Sequence, residues 1–291
     1  MTDIRRRLSA ALFLSMFASL PAWADDVSAR WLTQVTAVSA SSDTAARGAA
    51  IGQRLDALGI AWKREDFQQD GQSGTNLVAD LGGPTDAPLL LIGAHYDRVD
   101  VGHGATDNAS GVSAVLELAQ ALKARPLANH RVQVAFWDLE EKGLLGARAW
   151  VATPGRERPA LYVNFDVFGW GDTLWMMRPA AEGDSLLVAA LRAASQHEKL
   201  GFSPGDQYPP TDHLAFLKAG WPAVSFSLVG GDEIDPILAV FGGGKPTQVP
   251  KVMQVIHSER DTTAEVDGAR VDDALRVVEQ GLRAWDASTT P

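Results

Sequence analysis

Apolar and polar positions along this chain follow two periods, one typical of strands and the other typical of helices. Short apolar or alternating runs predict strands at 76–81, 88–94, 131–138, 161–166, 173–177 and 222–228. Helical spacing of apolar residues predicts helices at 27–38, 43–58, 107–124, 143–151, 186–197, 212–219 and 266–285. Because strands alternate with helices, we expect an α/β fold with a mixed, mostly parallel sheet and helices on both faces.

One segment, residues 230–250, departs from this rhythm. It contains three consecutive glycines, at 242–244, and prolines at 236, 246 and 250. This composition is typical either of a mobile lid or of a plain surface loop, and both interpretations stay open.

Length and composition are those of one large domain with a substantial core. The chain has 291 residues, of which 46% are hydrophobic and 21% charged, so extensive disorder is excluded. The formal net charge is −10, and no basic patch occurs beyond residues 5–7, which argues against nucleic acid as a partner. No sequence feature assigns an oligomeric state, and a monomer is our expectation.

The segment 1–24 has the organisation of a bacterial-type signal peptide. Three arginines at 5–7 precede an apolar run at 10–20 that is too short for a stable membrane span, and Ala22-Trp23-Ala24 offers a cleavage site. We therefore predict cleavage after Ala24, a mature domain at 25–291, and a periplasmic or secreted protein without a membrane span. The alternative is an ordinary buried helix. The chain has no cysteine, which excludes disulfides and thiolate metal sites.

Candidate metal ligands follow three of the predicted strands: His95 and Asp97 after the first, Glu140 and Glu141 after the second, and Asp166 after the third. The carboxyl ends of strands in open α/β sheets gather at one edge, so these side chains can converge although they are far apart in sequence. Two more candidates complete the set, Asp107 at a predicted helix start and His257 in a loop.

The residue types in this set point to zinc. Imidazole and carboxylate groups together suit zinc, and no sulfur ligand is needed. Asp97 follows His95 by two residues, so in an extended stretch it can orient the imidazole ring. Asp107 can direct one oxygen towards each of two metals. Of the adjacent Glu140 and Glu141, one can bind metal while the other faces the substrate and holds a proton.

Each candidate alone could instead have a structural role, as a helix cap, a turn cap or a solvated charge. The five positions together favour a metal site, because independent strand ends and loops all supply hard ligands. Three other histidines lack such a setting. His130 and His197 are predicted to lie on the surface, and His103 is not expected to be a ligand.

Six motifs occur in the order that they have in a known family: GAHYD, GATDNASGVSAVLELAQAL, FWDLEEKGLLGARAW, VNFDVFG, TDHLAFLKAGWPAVSFS and IHSERDT. They resemble the co-catalytic zinc exopeptidases of the aminopeptidase Y and bacterial leucyl aminopeptidase type, and the resemblance covers residues 75–285. It implies a single-domain, three-layer α/β sandwich with a twisted, mixed sheet of about eight strands. It also implies a metallo-aminopeptidase that uses two zinc ions and acts on peptides with a free N-terminus.

The same resemblance implies a role for each matched residue. One zinc would be bound by His95, Asp107 and Asp166. The other would be bound by Asp107, Glu141 and His257, so that Asp107 bridges the two. Glu140 would be the general base.

Further expectations concern the surroundings of the two metals. Asp97 would orient the His95 ring, Asp212 in the TDH motif would support the site from behind, and Tyr208 would line the substrate pocket. The bond after the bridging aspartate is often cis in this family, so the resemblance predicts a cis bond between Asp107 and Asn108.

Three positions depart from the family pattern. Thr211 stands where serine is usual, which keeps a hydroxyl, and Val167 stands where methionine is frequent, a change expected to affect packing only. Ile256 occupies a position that is tyrosine in some members, so no oxyanion donor is assigned.

Two alternatives to an aminopeptidase remain. The same fold could carry a dipeptidase, a carboxypeptidase-like enzyme or a glutaminyl cyclase. Cyclases of this fold use a single zinc, whereas both predicted ligand sets are complete in this sequence. A non-catalytic binding domain is the second alternative, and such a domain should have lost ligands or the base.

Overall fold

A single eight-stranded sheet forms the centre of the molecule. The computed structural model describes residues 26–178 and 185–288, so the predicted signal peptide at 1–24 lies outside the described residues. No helix in these two ranges is long and apolar enough to cross a membrane. The strands are β1 (Trp62–Gln69), β2 (Gln72–Gly82), β3 (Leu89–His95), β4 (Arg131–Trp137), β5 (Leu161–Phe168), β6 (Thr173–Met177), β7 (Gly201–Gly205) and β8 (Ala223–Val229).

The order of the strands across the sheet is β1-β2-β4-β3-β5-β8-β6-β7. The four central strands, from β4 to β8, are parallel to one another. Every residue of β3 and of β8 is buried, which explains why these segments do not alternate between apolar and polar residues. The predicted mixed, mostly parallel sheet is confirmed, and the carboxyl ends of its central strands share one edge.

Two edge strands were not predicted from the sequence. β1 pairs with β2 in an antiparallel hairpin and has the sequence WKREDFQQ, in which polar residues predominate because no residue of the strand is fully buried. β7 pairs with β6 at the opposite edge, and its glycine and proline content hides the strand. Because β2 forms this hairpin with β1, it begins at Gln72 and not at the predicted residue 76.

Helices in the described ranges pack on both faces of the sheet, as predicted for a three-layer sandwich. They are α1 (Val27–Ser39), α2 (Thr44–Ala57), α3 (Ser110–Ala124), α4 (Leu145–Ala152), α5 (Leu186–Glu198), α6 (His213–Lys218), α7 (Ile234–Phe241), α8 (Lys251–Val255) and α9 (Val271–Ser288). Helices α1, α2, α3, α5 and α9 share a core with strand residues such as Leu90 and Ile92. Helices α4 and α6 pack on the opposite face, against the alternate residues Leu89 and Leu91.

Two predicted segments differ in detail. The closing helix starts at Val271 rather than at 266, because residues 263–265 form a separate 3-10 turn that the Thr262 hydroxyl caps. The segment 230–250 is not a plain loop, because it contains a 3-10 turn and α7. Ile234 and Ile237 of this segment pack into a third apolar cluster with Trp170.

His130 is buried, with 2% of its surface exposed, so its predicted place on the surface is wrong. Its Nδ1 lies 2.8 Å from a carboxylate oxygen of Asp286, and its ring stacks on Trp285 with ring centroids 4.2 Å apart. Both partners lie at the end of α9, more than a hundred and fifty residues away in sequence. The prediction for His197 is confirmed, because 80% of its side chain is exposed.

Candidate metal centre

The predicted ligands meet at the carboxyl edge of the central strands. His95 is the last residue of β3, and Glu140 and Glu141 follow β4 in a turn. Asp166 lies in β5, where the pairing with β8 is interrupted between Phe165 and Phe168. The interruption turns the strand out of register, and the next residue, Val167, has a positive φ of 55°. Residues from three neighbouring strands are therefore directed into one site.

Asp107 reaches the same site from an irregular turn. Residues Ala105–Ala109 form a π turn in which Asp107 has φ −117° and ψ 91°, so α3 starts at Ser110 instead of the predicted 107. The carboxylate of Asp107 does not cap the helix. Asn108 takes part of that role, because its Oδ1 accepts a hydrogen bond from the backbone N–H of Gly111 at 3.0 Å. The predicted cis bond between Asp107 and Asn108 is confirmed.

The two oxygens of Asp107 contact two different histidines. Oδ1 lies 3.1 Å from Nε2 of His95, and Oδ2 lies 3.1 Å from Nε2 of His257. His95 Nε2 is also 3.6 Å from Oδ1 of Asp166, and His257 Nε2 is 3.1 Å from Oε2 of Glu141. Asp107 thus stands between two histidine–carboxylate groups. The first group contains His95 and Asp166, and the second contains His257 and Glu141.

Each of the two groups has the dimensions of a metal site. Ligand atoms of Asp107, Glu141 and His257 lie within 4.8 Å of one another, as do those of His95, Asp166 and Glu140. Glu140 therefore lies close to His95 and Asp166 of the first group. No ion pair joins Glu140 to a histidine among the described residues. Burial raises the pKa of Glu140 well above its usual value, and the nearby acidic residues Asp212 and Asp166 raise it further, against the effect of His95.

The donor set fits a divalent cation. Oδ1 of Asp166 and Oε1 of Glu141 are buried and have no hydrogen-bond partner in the part of the chain that the structure describes. Hydrogen bonds to Asp107 and Glu141 raise the pKa of His257 to about 10. The carboxylates therefore favour positive charge between the ligand atoms, and nitrogen and oxygen donors in this arrangement suit zinc.

Asp97 lies behind the first group, at the position predicted from its spacing to His95. Its Oδ1 is 3.2 Å from Nδ1 of His95, the ring nitrogen that points away from Asp107. The same carboxylate accepts hydrogen bonds from the backbone N–H groups of Glu140 and Glu141, at 3.0 and 3.2 Å. One buried carboxylate thus contacts the ends of two of the three strands that carry the candidate ligands, β3 and β4.

Asp212 and Tyr208 also lie at the site. Asp212 precedes α6 and is fully buried, and neither of its carboxylate oxygens has a hydrogen-bond partner among the described residues. Burial raises its pKa well above the usual value. The hydroxyl of Tyr208 contacts the Ser227 hydroxyl, which donates a hydrogen bond to the backbone carbonyl of Asp166.

Asp261 is a buried residue of the site that the sequence pattern did not indicate. Its carboxylate accepts hydrogen bonds from the backbone N–H groups of Thr106 and Asp107, at 2.6 and 3.2 Å. The only signal in the sequence is its place four residues after His257, in the IHSERDT motif. His103, by contrast, is exposed and contacts no other candidate ligand through its side chain in the described structure, as expected.

A cavity of about 500 Å³ opens beside the two groups. Asp107, Glu140, Glu141, Asp166 and His257 form its polar end. Its other walls are mainly apolar and include Val167, Trp175, Tyr208, Val229, Ile237 and Met253. The rings of Trp175 and Tyr208 pack with their centroids 4.5 Å apart.

A family model described as peptidase family M28 matches residues 76–281, which is most of the chain. The chain belongs to this family. Leucine aminopeptidase 2 of Trichophyton equinum is 39% identical to this M28 chain over 207 residues, which cover 66% of the chain and 41% of that relative. The chain spans less than half the length of the curated relatives it matches.

Solved structures of an aminopeptidase and of a glutaminyl cyclase both share the fold of this M28 chain. A zinc aminopeptidase from Bacillus subtilis superposes with a TM-score of 0.58 at 23% identity, over 73% of this chain and 50% of that one. Glutaminyl cyclase from Porphyromonas gingivalis superposes with a TM-score of 0.69 at 19% identity, over 91% of this chain and 100% of that one. At these identities the likeness concerns the fold alone.

Proposed function

We propose that this M28 family member is an exported zinc aminopeptidase that hydrolyses the N-terminal peptide bond of peptides. One observation carries the proposal: the two oxygens of Asp107 each lie 3.1 Å from a histidine, in two groups that share only this carboxylate. The likeness to a leucine aminopeptidase over 66% of the chain supports the proposal. The chemistry is that of a peptide hydrolase with a water nucleophile.

The proposed ligand sets follow the contacts at Asp107. His95, Asp107 and Asp166 would hold one zinc ion, and Asp107, Glu141 and His257 would hold the other. When bound, zinc would polarise the scissile carbonyl and lower the pKa of the attacking water. Glu141 is suited to binding because its Oε2 already lies beside His257, whereas Glu140 has no such ion pair among the described residues.

Glu140 is the proposed general base. It lies at the cavity end formed by the carboxylates, close to His95 and Asp166, and its carboxylate makes no ion pair with a histidine among the described residues, so it would be free to accept a proton. Glu140 would take the proton of the attacking water and pass it to the nitrogen of the leaving amine. Asp97 would hold the backbone of Glu140 in place through the 3.0 Å hydrogen bond to its N–H.

The acidic end of the cavity would select a free N-terminus. Asp107, Glu141 and Asp166 border the cavity at this end and would be occupied as metal ligands, so the neutral α-amino group of a peptide would bind beside one metal ion through its nitrogen lone pair. The amide nitrogen of an N-blocked substrate has no lone pair available for this contact. Anchoring the terminal amine beside the scissile bond would confine hydrolysis to the first residue.

The apolar walls of the cavity would hold the first side chain of the substrate. Trp175, Tyr208 and Ile237 of α7 line these walls and belong to one apolar cluster. We propose a preference for large apolar N-terminal residues, because such side chains gain most from leaving water.

The cyclase and binding-domain alternatives are less well supported. A single-zinc cyclase needs only one complete ligand set, yet His95, Asp166, Glu141 and His257 all contact or approach a partner ligand. A binding domain has no need of a glutamate beside these groups, and the half-buried Glu140 lies close to His95 and Asp166.

An assay of the mature chain, residues 25–291, loaded with zinc would test the proposal. The substrates are free and N-blocked leucyl, alanyl and glutamyl anilides, together with an N-terminal glutaminyl peptide for cyclisation. We expect cleavage of free-amine substrates only, loss of activity with chelator, and a loss of more than about a hundredfold in kcat for Glu140→Gln. Glu157→Gln is the matched control, because Glu157 is an exposed surface carboxylate.

Equal cleavage of blocked substrates would contradict an aminopeptidase, and cyclisation without hydrolysis would favour the cyclase. Two bound zinc equivalents without turnover of any substrate would favour a binding domain. Export is tested separately: N-terminal sequencing of protein recovered from the periplasm or medium should begin at Asp25, and recovery of the uncut chain from the cytoplasm would contradict it.

A further inference from the structure

Arg47, on helix α2, is buried beneath the site and precedes the residues that the family model matches. Within the described ranges 26–178 and 185–288 it is the only arginine or lysine that is buried. Its guanidinium donates three hydrogen bonds to backbone carbonyls: Nε to Tyr96 at 2.6 Å, Nη1 to His103 at 2.9 Å and Nη2 to Gly104 at 3.1 Å.

These three carbonyls lie at the two ends of one loop. Tyr96 stands between His95 and Asp97, and Gly104 stands three residues before Asp107. The planar fork of Arg47 therefore joins the beginning of the loop to its end and sets the distance between the two ligands that the loop connects. A lysine could supply the charge but not three donors in fixed directions.

Asp261 holds the same loop from the opposite side. Its carboxylate accepts the N–H groups of Thr106 and Asp107, and its backbone carbonyl accepts the N–H of His103 at 2.7 Å. Asp261 follows His257 by four residues, so it links the loop to the segment that carries a ligand of the second group. Arg47 fixes the loop relative to the first group, and Asp261 fixes it relative to the second.

Close packing also restricts the backbone of the loop between its contacts with Arg47 and Asp261. Gly102 has a φ of 70°, and a Cβ there would lie 2.3 Å from the backbone oxygen of Ser258. Gly104 has a φ of 58°, and a Cβ there would lie 2.8 Å from the backbone oxygen of Asp107. Glycine is required at both positions because the loop approaches its neighbours by backbone contacts.

We propose that Arg47 is a positioning residue for the two-metal centre: with Asp261 it clamps the loop at 96–106, so that the carboxylate of Asp107 is held between His95 and His257. This inference rests on the proposed function, because it assigns the clamp a role in binding two metal ions. Arg47 touches neither substrate nor metal in this scheme and acts through the loop backbone. Its removal should therefore weaken metal binding before it alters the fold.

The test compares two conservative variants on the same helix. Arg47→Lys keeps the charge and loses the fork, and Arg54→Lys makes the same change where the side chain contacts Gln120 instead of the loop. Zinc affinity is measured by competition with a chromophoric chelator, and the rise in Tm on adding zinc is measured by circular dichroism. We expect Arg47→Lys to bind zinc about 10- to 100-fold more weakly, as for other residues that orient ligands, with a correspondingly smaller rise in Tm.

Arg54→Lys should retain the zinc affinity of the unaltered chain. Asp261→Asn tests the other contact of the loop and should also weaken zinc binding. If Arg47→Lys does not fold, the zinc affinity of Asp261→Asn tests the proposal. Wild-type zinc affinity in both loop variants would overturn the proposal and leave the proposed function intact. An unaltered chain that binds no zinc would instead contradict the proposed function.

Discussion

The carboxylate of Asp97 accepts a hydrogen bond from the backbone N–H of Glu140 at 3.0 Å, although the two residues are 43 positions apart. The sequence spacing predicted a contact of Asp97 with His95, and that contact is present at 3.2 Å. The contact with Glu140 was not predicted. It means that one buried carboxylate positions both the ring at the end of β3 and the turn after β4.

Replacement of Asp97 by asparagine should weaken the metal centre while leaving the fold intact. An asparagine has one acceptor oxygen, so its amide group would face an N–H donor of His95 or of the turn at 140–141. We expect zinc affinity to fall about 10- to 100-fold, together with a lower kcat. Competition titration with a chelator measures the affinity. Asp80→Asn, a change on an exposed residue of β2, is the control, and equal affinities for the two variants would contradict the role of Asp97.

Much of the site could be predicted because each candidate follows a recognisable strand or motif. The strand runs before His95, Glu140 and Asp166 are apolar or alternate between apolar and polar residues, and the topology brings their ends together. Arg47 and Asp261 could not be predicted in this way. Their contacts are with backbone carbonyls and amides, which every residue carries, so the sequence gives no pattern that pairs them with the loop.

The parts of the fold that were missed have a similar origin. β1 and β7 lie at the edges of the sheet, where burial is partial and the apolar pattern is weak. His130 was assigned to the surface because nothing near it in sequence indicates a partner. Its partner Asp286 comes from the last helix, and only the packing of α9 brings the two together.

Trp175 should determine the preference for large N-terminal side chains. It is 3% exposed, lines the cavity and packs against Tyr208. In Trp175→Leu the wall recedes and a leucine side chain loses contacts, whereas an alanine side chain loses few. We expect the ratio of kcat/KM for leucyl over alanyl anilide to fall about tenfold. Trp221→Leu, which alters a tryptophan away from this cavity, is the control, and an unchanged ratio in Trp175→Leu would contradict the assignment of the pocket.

Asp286 should stabilise the fold without affecting catalysis. It accepts hydrogen bonds from the backbone N–H groups of Ala128 and Asn129 at 2.9 and 3.0 Å, and it contacts His130. Asp286→Ala removes the acceptor of two part-buried N–H groups and the partner of the buried His130 ring, so we expect the free energy of unfolding to decrease by about 3 kcal/mol. Urea denaturation measures the decrease, and kcat/KM of the zinc-loaded variant should equal that of the unaltered chain. A loss of zinc binding in this variant would show that the end of α9 is coupled to the metal centre.

His213 should make the fold sensitive to acid. The residue is 2% exposed, its Nδ1 has no hydrogen-bond partner within the described ranges, and burial lowers its pKa from 6.5 to about 3. Below pH 6.5 the unfolded chain binds a proton on this imidazole, while the folded chain does not until about pH 3. The contribution of neutral His213 to stability is therefore complete above pH 6.5 and is lost as the pH falls towards 3.

His213→Met tests this linkage, because methionine fills a similar space and does not titrate. Between pH 6.5 and pH 5 the unaltered chain should lose about 2 kcal/mol more of its free energy of unfolding than the variant does. Urea denaturation of both proteins in the same buffers gives this difference, and the carboxylates common to both cancel from it. Equal losses in the two proteins would mean that His213 is already protonated in the fold, or that the unfolded chain does not bind the proton. Either result would remove His213 as a source of acid sensitivity.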